Sequence, residues 1–338
     1  MRKFTSIAAL FVGVLIWAPV LGWCQGNTSH TIMVVAHAGG AGYHVHNTKS
    51  AILSALDMKA DVIEFDIQDT KDHVPVLHHD FVIQADEAQL DNKWLSHRTS
   101  FIKDITLDEL RRYNIAQVRP GSCSEKSYPF RKHPALETIL TLDAALALIS
   151  QSPFTPQVFI EVKSALDLGA GYPAEALVQD VLMTIRKYNV SKKISIISFD
   201  WRVLNLVHQA EPSLKTVYIF RDPLIYAREF SDDMKTLGVD IAVLTPDKII
   251  NRLTDGMGVA SHYALYANYI KNHGGWMLDA YKEDAEPAMM EQAQKLGLKT
   301  GVWTVDTLTE TARAVAQGVD AITTNYPDIV ASAVKEGR

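Results

Sequence analysis

Glu64 and Asp66 stand two residues apart in the apolar run Val62–Ile67, and Glu161 and Lys163 repeat that spacing in "VFIEVK". Side chains at i and i+2 of a strand point the same way. Glu64 and Asp66 therefore share one face, opposite Ile63, Phe65 and Ile67. Two carboxylates a few ångströms apart repel unless something positive lies between them. A divalent cation, a lysine or an arginine would serve; an exposed strand face with ordinary charges is the plainer alternative for an isolated E-x-D. Glu161 adds a third oxygen donor, the ligand type that Mg2+ and Ca2+ take. His37 closes "TIMVVAH" and His79 follows a second apolar stretch in "VLHHD". Two histidines can divide general base and general acid between them, and Lys163 would put positive charge beside a phosphate. Cation, base, acid and lysine make a set suited to phosphoryl transfer, which needs charge neutralisation and positioning above all.

Such residues act together only if the chain brings them to one place. Short β-rich runs alternate with amphipathic helical stretches. The spacing predicts strands over Thr31–His37, Val62–Ile67, Val158–Lys163, Ile194–Phe199, Thr216–Phe220, Asp240–Leu244, Lys299–Val305 and Asp320–Thr323. Helices are predicted over Thr48–Lys59, Leu136–Ser150, Ala174–Tyr188, Trp201–Gln209, Pro287–Leu296 and Leu308–Gln317. Most strands are near-continuous apolar runs, as in a parallel sheet covered by helices. Eight strands alternating with helices point to an α/β fold of the (β/α)8 TIM-barrel type, with a doubly wound open sheet as the alternative. The missing G-x-G-x-x-G after the first strand disfavours a dinucleotide site. In such a barrel, residues at the C-terminal strand ends face one mouth, which gathers His37, Glu64, Asp66, Glu161, Lys163 and Trp303. Trp303 reads equally as a pocket wall and as a core aromatic. Phe81 to Pro134 breaks the rhythm, being long, polar and poor in strand signal, and reads as a small insertion after the second strand.

The 338 residues are 47% hydrophobic and 21% charged, with a net charge of −6 and no long block of one sign. That is ordinary for a globular protein and lacks the basic patch of a nucleic-acid surface. Arg2 and Lys3, the apolar Ile7–Ile16 and then Pro19, Gly22 and Gly26 read as a secretory signal peptide over 1–26, with the catalytic domain over 27–338. Pro19 and the modest apolar length disfavour a retained anchor, and Trp23 is a poor neighbour for a lipid attached to Cys24. The expectation is an exported chain, periplasmic or secreted, with no stable membrane span once processed. With Cys24 removed, Cys123 stands alone, so no internal disulfide framework is expected.

At larger scale, "VVAHAGG", "HNTKSAILSALDMKADVIEFDIQDTKDHVPVLHHD", "ITLDELRRYN", "HPALETIL", "FIEVKS", "ISIISFD", "GLKTGVWTVD" and "GVDAITTNYPD" follow one another over nearly all of the chain after Gly26. This ordered series resembles the glycerophosphodiester phosphodiesterases, whose usual motifs are AHRG, PENT, E-x-D and HD. The resemblance implies a TIM-type barrel with a small insertion after the HD motif (about 81–134), one divalent cation, Ca2+ or Mg2+, and hydrolysis of a small-molecule glycerophosphodiester. It makes His37 and His79 the catalytic pair, Glu64, Asp66 and Glu161 the metal ligands, and Lys163 a phosphate contact. His79 takes the role rather than His78 because it directly precedes Asp80. Two positions depart from the pattern. The arginine after the first histidine is Ala38 here, and the glutamate before Asn-Thr is His46, with His44 nearby. The spot at Ala38 is then either larger and less positive or filled by another group such as Arg98 or His46, although His44 and His46 read more simply as loop histidines. Two rival functions remain at this point: a related barrel lyase, sphingomyelinase D-like, that yields a cyclic phosphate, and a barrel that binds phosphodiesters without turning them over.

Overall fold

The computed structural model describes residues 31–164, 174–188, 191–239 and 245–336. Eight parallel strands form the centre: β1 Met33–Ala36, β2 Val62–Asp69, β3 Gln157–Val162, β4 Ile194–Ser198, β5 Lys215–Phe220, β6 Met277–Tyr281, β7 Lys299–Trp303 and β8 Ala321–Thr324. Each pairs with its neighbour in chain order. β1 pairs with both β2 (Val35↔Val62) and β8 (Met33↔Ala321), so the sheet closes into a barrel.

Seven of these strands match predicted runs. The predicted strand at Asp240–Leu244 lies outside the described residues. The strand that completes the barrel, β6, was not foreseen, because Asp279 interrupts its short apolar run. In the fold Asp279 is buried and pairs in register with Gly301 of β7. A Cβ on Gly301 would lie 2.6 Å from Asp279 Oδ1, so the glycine makes room for the carboxyl.

Alternation along the strands builds two cores. Outward residues such as Ile63, Phe65, Ile160 and Ile196 pack under the helices. Inward residues Val35, Val62, Phe159, Ile197, Val217, Ile219, Met277 and Ala321 fill the barrel as a separate apolar layer. Helix ends are set by local chemistry. Lys49–Asp57 starts where the Thr48 hydroxyl accepts from the Ala51 amide. The helix predicted from Leu136 starts instead at Leu142: the Leu140 carbonyl accepts from Leu77 N–H, and Thr141 caps the Ala144 amide. Among the described residues no helix is long and apolar enough to cross a membrane.

After β2 the strand Pro75–Leu77 turns back antiparallel to it. The stretch that follows carries the small antiparallel pairs Gln89–Leu90, Lys93–Trp94 and Tyr113–Asn114. It has its own core of Ile83, Ala88, Ile102, Leu110 and Ile115, which explains how a polar segment of this length is ordered without strong strand signals. Cys123 lies in it as an exposed free thiol.

Candidate active site

The carboxylates come from adjacent strands. Glu64 and Asp66 project from β2, and the β2–β3 register sets Asp66 directly beside Glu161. One oxygen from each of Glu64, Asp66 and Glu161 lies within 4.8 Å of the others, and all three residues are buried. The cluster would repel itself without a cation. Lys163, two residues beyond Glu161, supplies one: its Nζ is 2.7 Å from Glu161 Oε1 and 3.0 Å from Asp66 Oδ1.

Neighbouring dipoles finish the arrangement. The loop after β1 turns sharply at His37–Gly39, and Gly39 packs so closely that an added Cβ would lie 2.8 Å from Ala51 Cβ. That turn aims the Ala38 amide at Glu64 Oε2, 2.7 Å away. Asn47 brackets Asp66, donating to Oδ2 at 2.7 Å and accepting from its backbone N–H at 3.0 Å. Glu64 Oε1 remains buried with no hydrogen-bond partner. An orphaned buried carboxylate oxygen is costly, and a cluster of three hard oxygen donors with one orphan is the donor set a divalent cation takes. Burial, then the charges of Asp66 and Glu161, push the Glu64 carboxyl well above its ordinary range. Burial also opposes ionisation of Asp66, but Lys163, His79 and His37 outweigh it and hold that carboxyl below its ordinary range.

The two histidines flank this cluster and differ in what stands behind them. His37 Nδ1 faces Asn325 Oδ1 at 2.8 Å. Asn325 Nδ2 donates to Asp306 Oδ2 at 2.7 Å, and its backbone N–H donates to Asp306 Oδ1 at 2.8 Å. The amide is thereby oriented, so His37 must carry its proton on Nδ1 and leave Nε2 as a base. Burial holds the His37 pKa below its usual value. His79 Nδ1 meets the Asp80 carboxylate at 2.8 Å. Lys163 and burial oppose its protonation, yet Asp66 and Asp80 outweigh them and raise its pKa. Gln68 fixes this loop by donating to the carbonyls of His78 and His79 at 3.0 and 3.2 Å.

His78 is buried and turns away, with Nε2 3.2 Å from the Val82 carbonyl. His46 packs among the histidines, its ring centroid 6.1 Å from those of His78 and His79. Burial and the charge of Arg131 push its pKa down to about 3, so it carries no positive charge at neutral pH. Arg98 is exposed, against Gly238, and does not line the pocket. Neither residue supplies the cation absent at Ala38. The arginine nearest that loop is Arg131, whose Nε donates to the Ala41 carbonyl at 2.7 Å and whose guanidinium stacks on Tyr128 at 3.8 Å.

His79, Glu161 and Lys163 open into a pocket of about 470 Å3 that Trp303 also lines. Trp303 is half-buried, and its Nε1 donates to the Asp279 carbonyl, so it serves both as pocket wall and as strand-to-strand tie. The reading from residue types did not single out Asn47, Gln68, Asp306 and Asn325. Asp306 and Asn325 close the blocks "GVWTVD" and "ITTN", and their position just past strand ends was the available signal.

Residues 37–329 match the model of the glycerophosphoryl diester phosphodiesterase family. A glycerophosphodiester phosphodiesterase of Caldanaerobacter subterraneus subsp. tengcongensis is 26% identical over 306 residues, covering 90% of this chain and 98% of that protein. Among solved structures, a putative glycerophosphoryl diester phosphodiesterase of Silicibacter pomeroyi superposes with a TM-score of 0.74 at 22% identity, covering 91% of this chain and 94% of the other. An Oleispira antarctica phosphodiesterase in complex with the product sn-glycerol-3-phosphate gives 0.64 at 17% identity, covering 90% and 97%.

Proposed function

The chain belongs to the glycerophosphoryl diester phosphodiesterase family, and from that premise we propose that it hydrolyses glycerophosphodiesters to glycerol 3-phosphate and an alcohol, with one divalent cation, Ca2+ or Mg2+, at Glu64, Asp66 and Glu161. The observation that carries this reading is the pairing of that carboxylate cluster with two histidines of opposite character. A divalent cation bound there neutralises phosphate charge and polarises the phosphorus–oxygen bonds.

The protein's own groups move the protons. His37 Nε2, left without a proton because Nδ1–H bonds Asn325 while burial holds the pKa down, takes the proton of the attacking hydroxyl, from water or from the adjacent glycerol hydroxyl, in which case water then opens the cyclic phosphate. His79, whose pKa is raised because Asp66 and Asp80 outweigh Lys163 and burial, gives its Nε2 proton to the leaving alcohol. Lys163 stays charged between two carboxylates and adds its field to the phosphate side of the pocket. Trp303 walls the substrate space.

Phosphorus NMR of the products tests the reaction. Open glycerol 3-phosphate is the expected signal. A persistent cyclic phosphate would assign the lyase instead, and an unchanged substrate would assign a binding role. Residues 1–26 fit an export signal; N-terminal sequencing of the exported protein should begin after Gly26, and a retained Met1 would refute that.

A further inference from the structure

We propose that Arg131, Glu87 and His46 form a polyol site under the insertion, which reads the free hydroxyls of one substituent of the phosphodiester. The inference rests on the hydrolytic reading above and adds which residues recognise the substrate beside the catalytic histidines.

Arg131 belongs to the insertion but is anchored on the barrel. Its Nε donates to the Ala41 carbonyl at 2.7 Å, its Nη1 donates to Ser124 Oγ at 3.2 Å, and its guanidinium lies 3.8 Å from the Tyr128 ring centroid. The Lys132 amide donates to the Tyr43 carbonyl at 2.7 Å, which ties the same stretch to the loop after β1. Arg131 is 8% exposed, and its Nη2 is buried with no hydrogen-bond partner among the described residues. Two neighbours share that condition: Glu87 Oε2 and His46 Nδ1 are also buried and unpartnered there. The charges of Arg131 and His79 act on both of them. The three groups therefore stand together near the catalytic His79, on the side of the loop after β1. None of them lines the pocket that Trp303 walls.

Buried donors and acceptors without partners are costly, so their chemistry indicates what would join them. Arg131 Nη2 can only donate. His46 is uncharged at neutral pH and offers Nδ1 as acceptor or donor. Burial, then the charges of Asp80 and Asp86, raise the Glu87 carboxyl to about 7. Near neutral pH it is thus present both as an acceptor and as an O–H donor. A cation would meet the guanidinium, and an anion would meet Glu87, Asp80 and Asp86. A hydroxyl is neutral, accepts from Nη2 and donates to Glu87 or His46. Two hydroxyls on neighbouring carbons would satisfy all three atoms. Glu87, His46 and Tyr128 are half-buried, so the way in lies along them.

Two pairs of esters test the site and tell which substituent it reads. Glycerophosphocholine and its analogue built on propane-1,2-diol differ by the terminal hydroxyl of the retained glycerol, and both keep the adjacent hydroxyl. Glycerophosphoglycerol and glycerophosphopropanol differ only in the hydroxyls of the leaving alcohol. In one pair the deoxy ester should lose kcat/KM by roughly 10–100-fold, because it leaves buried groups unpaired. That pair identifies the substituent. In Arg131→Lys, which keeps the charge but loses the fork, and in Glu87→Ala, the ratio should fall to roughly threefold or less. The Glu87 carboxylate has its buried oxygen unpartnered, so Glu87→Ala removes no bond that holds the fold, and it carries the test if Arg131→Lys does not fold. Ratios near one in both pairs for the wild type would overturn the proposal while leaving the hydrolytic reading intact. A ratio that survives unchanged in Glu87→Ala would overturn it as well. Hydrolysis of none of the four esters with divalent cation present would overturn the hydrolytic reading, and this inference with it.

Discussion

The floor of the barrel and its mouth are built by the same strands, two residues apart. On β2, Val62 lies in the apolar layer and Glu64 and Asp66 follow it; on β3, Phe159 lies in that layer and Glu161 and Lys163 follow. Alternation along a strand sends all of them inward, so the difference is one of side chain rather than of placement. The floor removes water from one side of the charged cluster. That is why burial appears in the titration of every member, and why hydrogen bonds from Ala38 and Asn47 and the ion pairs of Lys163 are needed to hold it. In the proposed function the floor provides stability and dryness, and the mouth would provide the chemistry at a cost in stability.

If that division holds, substitutions at the two levels should separate activity from stability. The largest effect is expected at the histidines. His37→Ala and His79→Ala should each lower kcat by roughly two to four orders of magnitude, with melting temperatures close to wild type. His78→Ala should cost far less in kcat, since its ring bonds the Val82 carbonyl; a silent His79→Ala beside a dead His78→Ala would break the assignment. Next is the floor. Phe159→Ala should cost about 3–5 kcal/mol of stability, read by denaturant unfolding, while the folded fraction keeps most of its kcat. Glu64→Gln removes a buried charge from the mouth. Calorimetry should show divalent binding weakened at least as much as the roughly 10–100-fold that outer-sphere changes cost, with stability unchanged or raised.

Two smaller effects sharpen the picture. Asn325→Asp would place a carboxylate behind His37 and favour its protonated form. The acid limb of the kcat/KM profile should then move up by about one pH unit or more; an unmoved limb would show that His37 is not the base. Asp279 lies between floor and mouth. Burial, then the charge of Glu161, push its carboxyl up to about 8. An unfolded Asp releases its proton near ~3.9, whereas the folded one keeps it, so the folded state binds more protons across that window and loses stability as pH rises through it. Asp279→Asn should melt a few degrees higher than wild type at pH 8, with the gain vanishing toward pH 4.

Much of this was legible in the sequence, and the limits have physical causes. Glu64, Asp66, Glu161 and Lys163 could be read because period-two spacing in apolar runs fixes their face before any fold is known. Strand β6 was missed because a buried aspartate looks like a strand breaker until Gly301 is seen to make room for it. Asn325 is far from His37 in sequence and meets it, with Asp306 behind it, only because β8 closes the barrel against β1 and β7 pairs with β8. A one-dimensional pattern carries no sign of that. The fates of Arg98 and His46 were likewise decided by packing: one lies exposed against Gly238, and the other is half-buried, where desolvation and the charge of Arg131 push its pKa down to about 3.

The central claim is that Glu64, Asp66 and Glu161 form a cation site on which turnover depends. The direct test is hydrolysis of glycerophosphocholine by exhaustively chelated protein, followed by titration with Mg2+ or Ca2+, for the wild type and for Glu64→Gln. Turnover should be lost on chelation, return with saturable dependence on the added cation, and require much more of it in Glu64→Gln. Undiminished turnover after chelation would contradict the account.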